Sequence, residues 1–573
     1  MTSQHQTRPG APDLAMADPI AMEVFSNRML TITEEMGNTL IRSSFSTNIK
    51  ERKDCSVGLF DRHGRLVAQA SHIPLHLGSL RGSVREVLNR FPVDSIEPGM
   101  AFISNDPYLA GGTHTPDISI VTPMFSGGRL VFFTANIAHH SDVGGAVPGS
   151  ISAGARTVFE EGIRIPPLLI VEGGEIREDI LDFIAQNTRE PEERILDLRV
   201  QIATNNQGNR ALEGLIGQMG LEQVLQAVED VLSYTALRLQ KRIDAISGMK
   251  GSFTACLDDD GSGGAPVPIT THVSVEDSRL VVDFQGTGPQ AKGGLNVSRT
   301  GLEATVFYAV KALLDPQLMP NEGMMSSIEI RADDGLIVNA RSPAATGARS
   351  ITCQKIARAI FGAFRDVLPP ERLMSSGADD LPTVVFSGNH LRRDGTYVYL
   401  ETLGGGGPAT GRTDGMNAVH VHVTNTSNLP IEALENEYPL MVDEYALVER
   451  SGGAGRYRGG LGFVRQYTSL QDGTIFSVRS DGQLHAATGV DGGGEGRTAR
   501  LYWDYGKPDE KRLGSKETHL IMDYGRNIRF ETGGGGGLGD PHRRPRDQVL
   551  ADLEDGIIGV EDLELYGQEA LAK

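Results

Sequence analysis

Glycine is the feature that most limits how this chain can fold. The 573 residues include 70 glycines, about 12% against roughly 7% in an average protein. They follow no fixed period, which excludes a collagen-like helix. They cluster as GGGG at 404–407, GGGEG at 492–496 and GGGGG at 533–537. Without a Cβ, such runs let backbone turn sharply or approach other backbone and ligands closely. The second half is therefore expected to be rich in strands and loops.

The first half reads differently. Residues 1–17 have the look of a flexible tail. From Asp18, DPIAMEVFSNRMLTITEEMGNTLIRSS has apolar residues at helical spacing and an Asp-Pro start suited to an N-cap and first turn. CSVGLFDRHGRLVAQA predicts two strands joined by a turn at Asp61–Gly64, and DISIVTPMFSGGRLVFFTANIAHH predicts a second pair joined at Ser-Gly-Gly. Between about Glu190 and Ile246 the pattern is long and helical, with charges opposite the apolar face, as in a scaffold or subunit-contact helix. Strands resume from Gly251, with helices near 300–315 and 351–366. The expected fold is α+β: a mixed helical and strand region over 18–248 carrying the site, and a mixed to β-rich region over 249–573.

Bulk properties narrow the partners. The length allows three or four packing units. A net charge of −20 argues against nucleic acid or an anionic membrane as partner, and HRRPR at 542–546 is the nearest thing to a basic run. No window approaches the roughly 20 apolar residues of a membrane span. MTSQHQTRPGAPDLAMADP lacks a basic stretch followed by an apolar one, so no secretory signal is expected. Cys55, Cys256 and Cys353 are odd in number and far apart, which suits reduced thiols and a cytoplasmic protein.

Chemistry concentrates in three segments: KERKDCS at 50–56, NDPYLAGGTHTPDIS at 105–119 and NIAHHSDVGG at 136–145. Three of the 14 histidines fall within the 27 residues from His114 to His140. His114-x-x-Asp117 in a glycine-rich turn can aim two side chains at one point. The 21 residues between Asp117 and His139 suit a hairpin that returns the chain to its start. Neighbouring strand residues face opposite ways, so only one of His139 and His140 can enter the same site. Two imidazoles and two carboxylates would suit Mn²⁺, Fe²⁺ or Zn²⁺. A hydrogen-bonded His–Asp pair without metal has the same local spacing.

Other motifs are absent or weak. There is no G-x-x-x-x-G-K-[ST] phosphate loop and no G-x-S-x-G elbow. A formal G-x-G-x-x-G at Gly534, Gly536 and Gly539 runs into DPHRRP rather than a helix, so no nucleotide role is read from it. Asp54 beside Cys55 would raise the thiol pKa and argues against a nucleophile. His76, in the apolar HIPLHLGSL, reads as a structural histidine.

The strings HIPLHLGSL, NDPYLAGGTHTPDISIV, ANIAHHSDVGGAVPGS, EEGIRIPP, DGMNAVHVHVTNTSNLPIEALENEYPL, SGGAGRYRGGLG and GGGGGLGDPHRR resemble the hydantoinase B/oxoprolinase family, in order, from about Asp18 to Tyr566. That family covers B subunits of ATP-dependent N-methylhydantoinases, caprolactamase and 5-oxoprolinase domains, with acetone and acetophenone carboxylase large subunits as relatives. The resemblance implies metal ligands at Asp54, His114, Asp117 and His139. Cys55 stands where an aromatic residue is common. It also places His140, Asp142 and Glu161 in the pocket as candidate catalytic residues.

The resemblance further implies a hetero-oligomer, such as a heterotetramer, in which an A-type (hydantoinase A-like) partner holds ATP and phosphorylates the substrate oxygen. This chain would then hydrolyse the activated cyclic amide, using water whose pKa a bound metal lowers. His140 or Glu161 would move protons. Carboxylation of a ketone is the second reading, and a non-catalytic scaffold with a structural metal the third. Two carboxylates and two histidines, rather than a closed cysteine set, speak against the scaffold.

Overall fold

The computed structural model describes residues 18–152, 154–392 and 394–569; the tail expected over 1–17 lies outside them. Helix α1 (Pro19–Ser43) starts where the sequence signals it: the Asp18 side chain accepts from Ile20 N at 2.9 Å, and Pro19 opens the first turn. Its buried residues Met22, Phe25, Met29, Ile32, Met36 and Leu40 follow the helical period. After the single-turn α2 (Thr47–Lys50) come β1 (Cys55–Asp61), β2 (Leu66–Gln69), α3 (His76–Arg90), β3 (Ala101–Ser104), β4 (Asp117–Ser126), β5 (Arg129–His139), β6 (Leu168–Glu172) and β7 (Glu175–Ile176). These strands form one antiparallel sheet in the order β2-β1-β5-β4-β3-β6-β7. Both expected hairpins are present.

Helix α4 (Glu178–Ala185) precedes two long helices, α5 (Pro191–Met219) and α6 (Leu221–Asp244). The sequence pattern reads as one helical stretch; Gly220, at φ +88°, divides it. Helix α5 lies on the sheet through amides. Gln201 Nε2 donates to Ile118 O (2.9 Å), Asn205 Nδ2 donates to Ile120 O (3.0 Å), and Asn136 Nδ2 donates to Gln201 O (2.7 Å). Each buried amide is thereby satisfied by backbone or by another amide.

Beyond residue 248 follow β8 (Lys250–Leu257), β9 (Val267–Glu276), β10 (Arg279–Asp283), α7 (Arg299–Leu314), α8 (Glu322–Met325), β11 (Ile328–Arg331) and α9 (Arg349–Ala363). The four strands form a sheet in the order β11-β10-β9-β8, against which the wholly buried α9 packs. The boundary expected at 248/249 falls between α6 and β8. Phe60, Leu80 and Phe133 on one side of it share a core with Ile269, Leu302 and Ile356 on the other.

The C-terminal part contains β12 (Thr383–Asn389), β13 (Thr396–Thr402), α10 (Ile431–Glu437), β14 (Leu440–Leu447), β15 (Phe463–Ser469), β16 (Thr474–Arg479), β17 (Arg500–Trp503), β18 (Lys511–Arg512), β19 (Lys516–Met522), β20 (Asn527–Glu531) and α11 (Arg546–Glu554). Sheets β13-β12-β16-β19 and β14-β15-β20-β17-β18 enclose a core that includes Phe386, Tyr399, Tyr467, Phe476 and Phe530. The fold class is α+β, as the pattern implies.

The glycine runs pack on one another. Successive residues of 533–537 bond to different neighbours: Gly534 N to Arg497 O (3.0 Å), Gly535 N to Gly460 O (2.9 Å), Gly536 N to Ser376 O (2.8 Å) and Gly537 N to Gly494 O (2.9 Å). A Cβ on Gly534 would lie 1.8 Å from Ser451 O, so only glycine fits. The three cysteines are free, and no helix among the described residues is long and apolar enough to cross a membrane.

Candidate metal centre

The site grows out of strand register. In the antiparallel β4–β5 pair Asp117 stands opposite His139, and Cys55 of β1 stands opposite Ala138 on the other side of β5. His139 N also donates to Asp54 O at 2.9 Å. Asp54 and Asp117 therefore flank His139 at one end of three adjacent strands, within the spacing at which cross-strand side chains meet. His114 joins them through a tight turn closed by Asp117 N to His114 O (3.4 Å).

His114, Asp117 and His139 are buried, and each offers a ligand atom within 4.8 Å of the other two. Partners hold the opposite side of each group. Asp117 Oδ2 accepts from Arg349 Nη2 (2.7 Å) and Thr113 Oγ1 (3.2 Å). His139 Nδ1 lies 2.9 Å from Asn48 Nδ2, and Asn48 Nδ2 also donates to His139 O (2.8 Å). His114 Nδ1 lies 3.3 Å from Gly347 O. A carbonyl only accepts, so in the tautomer that makes this contact the ring proton is on Nδ1 and Nε2 carries a bare lone pair.

His114 Nε2 lies 2.9 Å from Asp117 Oδ1, a distance that suits a hydrogen bond in the other tautomer or two ligands on one ion. Burial, followed by the Arg349 charge, pushes His114 down to about 4, so the ring is neutral at pH 7. Burial works to raise the Asp117 carboxyl, yet His114 and Arg349 outweigh it and hold it well below the usual range. Burial also holds His139 well below its ordinary value. With the proton on Nδ1, Nε2 and Oδ1 are two buried acceptors, and a cation between their lone pairs relieves their repulsion. Ligands bonded to one ion at about 2.1 Å sit about 3 Å apart when they approach at right angles. The donor set therefore fits a divalent metal, and its mixed N and O character suits Zn²⁺, Mn²⁺ or Fe²⁺.

Asp54 lies beside the triad. Its Oδ1 is 3.8 Å from His76 Nε2, and the same nitrogen is 3.8 Å from Asp117 Oδ1. His76 thus bridges the two carboxylates, held from behind by Ser56 Oγ at 3.1 Å from Nδ1. Its apolar sequence neighbours mark it as structural; the fold brings it into the site, because α3 begins at His76 and points it at the strand ends. Asp54, His76 and His139 line a narrow cavity of about 40 Å³ with Arg349, Ser350 and Arg479. No local spacing signal links Arg349 or Arg479 to the earlier segments.

The remaining candidates lie elsewhere. His140 faces away from His139, as alternation requires, and its Nε2 lies 3.0 Å from Gln201 Oε1 of α5. Asp142 accepts from Gly144 N (2.9 Å), Gly149 N (3.0 Å), Arg189 N (3.0 Å) and Arg189 Nη1 (2.7 Å), and so pins its own loop. Glu161 accepts from Gly347 N (2.6 Å) and Thr346 N (2.9 Å), behind the carbonyl that His114 meets. Burial pushes it up to about 7, against the pull of those two N–H groups. Cys55 is buried, and burial with the adjacent Asp54 raises its thiol, which excludes a ready nucleophile.

A family profile for Hydantoinase B/oxoprolinase matches residues 18–541. The chain is 32% identical to 5-oxoprolinase 1 of Arabidopsis thaliana over 91% of its own length, but it spans 42% of that relative. It is 31% identical to a protein assigned as the B-type component of a D-/L-hydantoinase in Pseudomonas sp. (strain NS671), covering 95% of this chain and 94% of the other. The crystal structure of ATP-dependent caprolactamase from Pseudomonas jessenii superposes with a TM-score of 0.88 at 26% identity, covering 96% of each chain. With strand-end geometry and whole-length similarity in agreement, this chain belongs to the hydantoinase B/oxoprolinase family.

Proposed function

We propose that the chain is the metal-dependent hydrolytic subunit of an ATP-dependent cyclic-amide hydrolase. In this reading an A-type partner phosphorylates the amide oxygen of a hydantoin, 5-oxoproline or lactam, and this chain completes the ring opening in the cytoplasm. The supporting observation is the buried convergence of His114, Asp117 and His139 ligand atoms within 4.8 Å of one another, in a chain similar throughout to a hydantoinase component and a caprolactamase.

His114, Asp117 and His139 would hold the ion, with Asp54 alongside. A divalent ion there supplies Lewis acidity and brings the pKa of water toward neutrality. Arg349 keeps Asp117 ionised and oriented. His76, between Asp54 and Asp117, is placed to take up a proton at Nε2. We assign that role to His76 rather than His140, which faces α5, or Glu161, whose oxygens are engaged by backbone. Asp142 acts as a loop anchor.

The test is reconstitution with an A-type partner, ATP and a panel of cyclic amides. Ring-opened product and ADP are expected only when both chains are present. A product that forms only with bicarbonate would replace hydrolysis by carboxylation.

A further inference from the structure

Two guanidiniums border the metal cavity, and they are engaged differently. Arg349 is committed, with Nη2 on Asp117 and Nε donating to Thr113 Oγ1 at 3.0 Å. Arg479, the last residue of β16, is 4% exposed. Its side chain makes one hydrogen bond, from Nη1 to Gly347 O at 3.0 Å, and its Nε has no partner. Among the described residues it forms no ion pair. The nearby Glu161 carboxylate is occupied by Thr346 N and Gly347 N. Burial, with Arg349 next, pushes Arg479 down to about 9 against the pull of the Glu161 charge, which acts on it without a direct contact, so the buried guanidinium is only partly compensated.

The same cavity is lined by Ser350, in the first turn of the 15-residue α9. In that turn Arg349 N donates to Thr346 O (2.9 Å) and Ile351 N to Ala348 O (3.1 Å), whereas Ser350 N has no backbone acceptor among the described residues; a first-turn N–H left over in this way favours an anion. A cavity of about 40 Å³ has room for about three waters, and so for the oxygens of a small anionic group.

We propose that Arg479 and the first turn of α9 at Ser350 form the receptor for a phosphoryl oxyanion carried into the metal cavity by the substrate. The proposal rests on the reading that the substrate arrives phosphorylated, and it assigns the recognition of that group to this chain. Inorganic phosphate shares the chemistry and serves as the probe.

The experiment is calorimetric titration of the purified, metal-loaded full chain with inorganic phosphate, with bicarbonate in a parallel arm. Wild type is expected to bind phosphate in the millimolar range or tighter. Arg479→Met should weaken binding about 10- to 100-fold, the range expected for losing charge-assisted hydrogen bonds, with metal content and circular dichroism unchanged. Arg479→Lys keeps the charge but not the planar donors. It should bind at least about threefold more weakly than wild type, and it carries the test if the Met variant does not fold.

Equal phosphate affinity in wild type and a folded Arg479 variant overturns the proposal. So does the absence of phosphate binding by wild type, or Arg479-dependent binding of bicarbonate alone. Binding is read without turnover. Arg479-dependent phosphate binding in a complex that opens no cyclic amide therefore supports the receptor and removes the proposed function. Ring opening with Arg479-independent phosphate binding does the reverse.

Discussion

Gly534→Ala tests the glycine packing directly. The new Cβ would lie 1.8 Å from Ser451 O and 2.2 Å from Ser451 C, both backbone atoms with no rotamer to change. Ordinary contact requires a little over 3 Å, so the two segments must separate by about 1.4 Å. Gly534 N to Arg497 O is 3.0 Å, Gly535 N to Gly460 O is 2.9 Å, and Gly453 N to Gly535 O is 2.8 Å. The same displacement carries such bonds past 4 Å, beyond hydrogen-bond range. A buried donor or acceptor left unsatisfied costs about 1–3 kcal/mol, so loss of two or three bonds removes about 2–9 kcal/mol. That is a large share of the roughly 5–15 kcal/mol that holds a folded protein together. Gly214→Ala is the control: it is exposed within α5 and meets nothing within 4 Å. Alanine there should stabilise by about 0.5–1 kcal/mol through helix propensity. Urea unfolding followed by circular dichroism should show a lower midpoint for Gly534→Ala and an equal or higher one for Gly214→Ala. An unchanged midpoint for Gly534→Ala would show that the runs are not in backbone contact.

Elemental analysis of His114→Ala and Asp117→Asn should show near-complete loss of bound divalent metal, because each removes one of three convergent ligand atoms. His140→Gln should retain wild-type metal content, since His140 faces Gln201; equal loss in that variant would refute the assignment of His139 over His140. Stability should fall as pH drops from 6.5 through 4. Burial pushes His422 and His140 down to about 4 in the folded chain, whereas the unfolded chain takes up protons from about 6.5. The unfolded state then binds more protons throughout that window, so each histidine removes about 2 kcal/mol by pH 5. The check is the unfolding midpoint against pH, where His422→Gln should flatten part of the slope.

What can be read from sequence follows the range of the interactions involved. The α1 helix and the β1–β2 and β4–β5 hairpins rest on local period and turn residues, so they are legible. The break at Gly220 is not, because one glycine inside a strongly helical pattern interrupts it only where backbone takes φ +88°. Alternation shows that His139 and His140 diverge, but only the pairing of Asp117 with His139 says which one enters. Asp54 requires family resemblance, since its place beside His139 depends on the β1–β5 register. His76 is masked by Ile73, Leu75 and Leu80, whose burial it shares.

Arg349 and Arg479 lie 232 and 362 residues after Asp117, and no spacing rule reaches so far. Their positions explain why the site belongs to neither half of the chain alone. The candidate metal ligands come from strand ends and a turn in residues 54–139, while the cations come from the start of α9 and the end of β16. A core shared across residue 248 keeps these parts in register. Within that frame the two arginines divide the electrostatic work. Arg349 offsets Asp117 from behind and keeps it ionised for a cation. Arg479 makes no direct ion pair among the described residues and feels the Glu161 charge only at a distance, so part of its charge is left to the cavity it lines. A site with both a converging set of metal ligands and an uncommitted guanidinium can engage a reacting centre and the anionic group attached to it, which is the pairing that a phosphorylated amide presents.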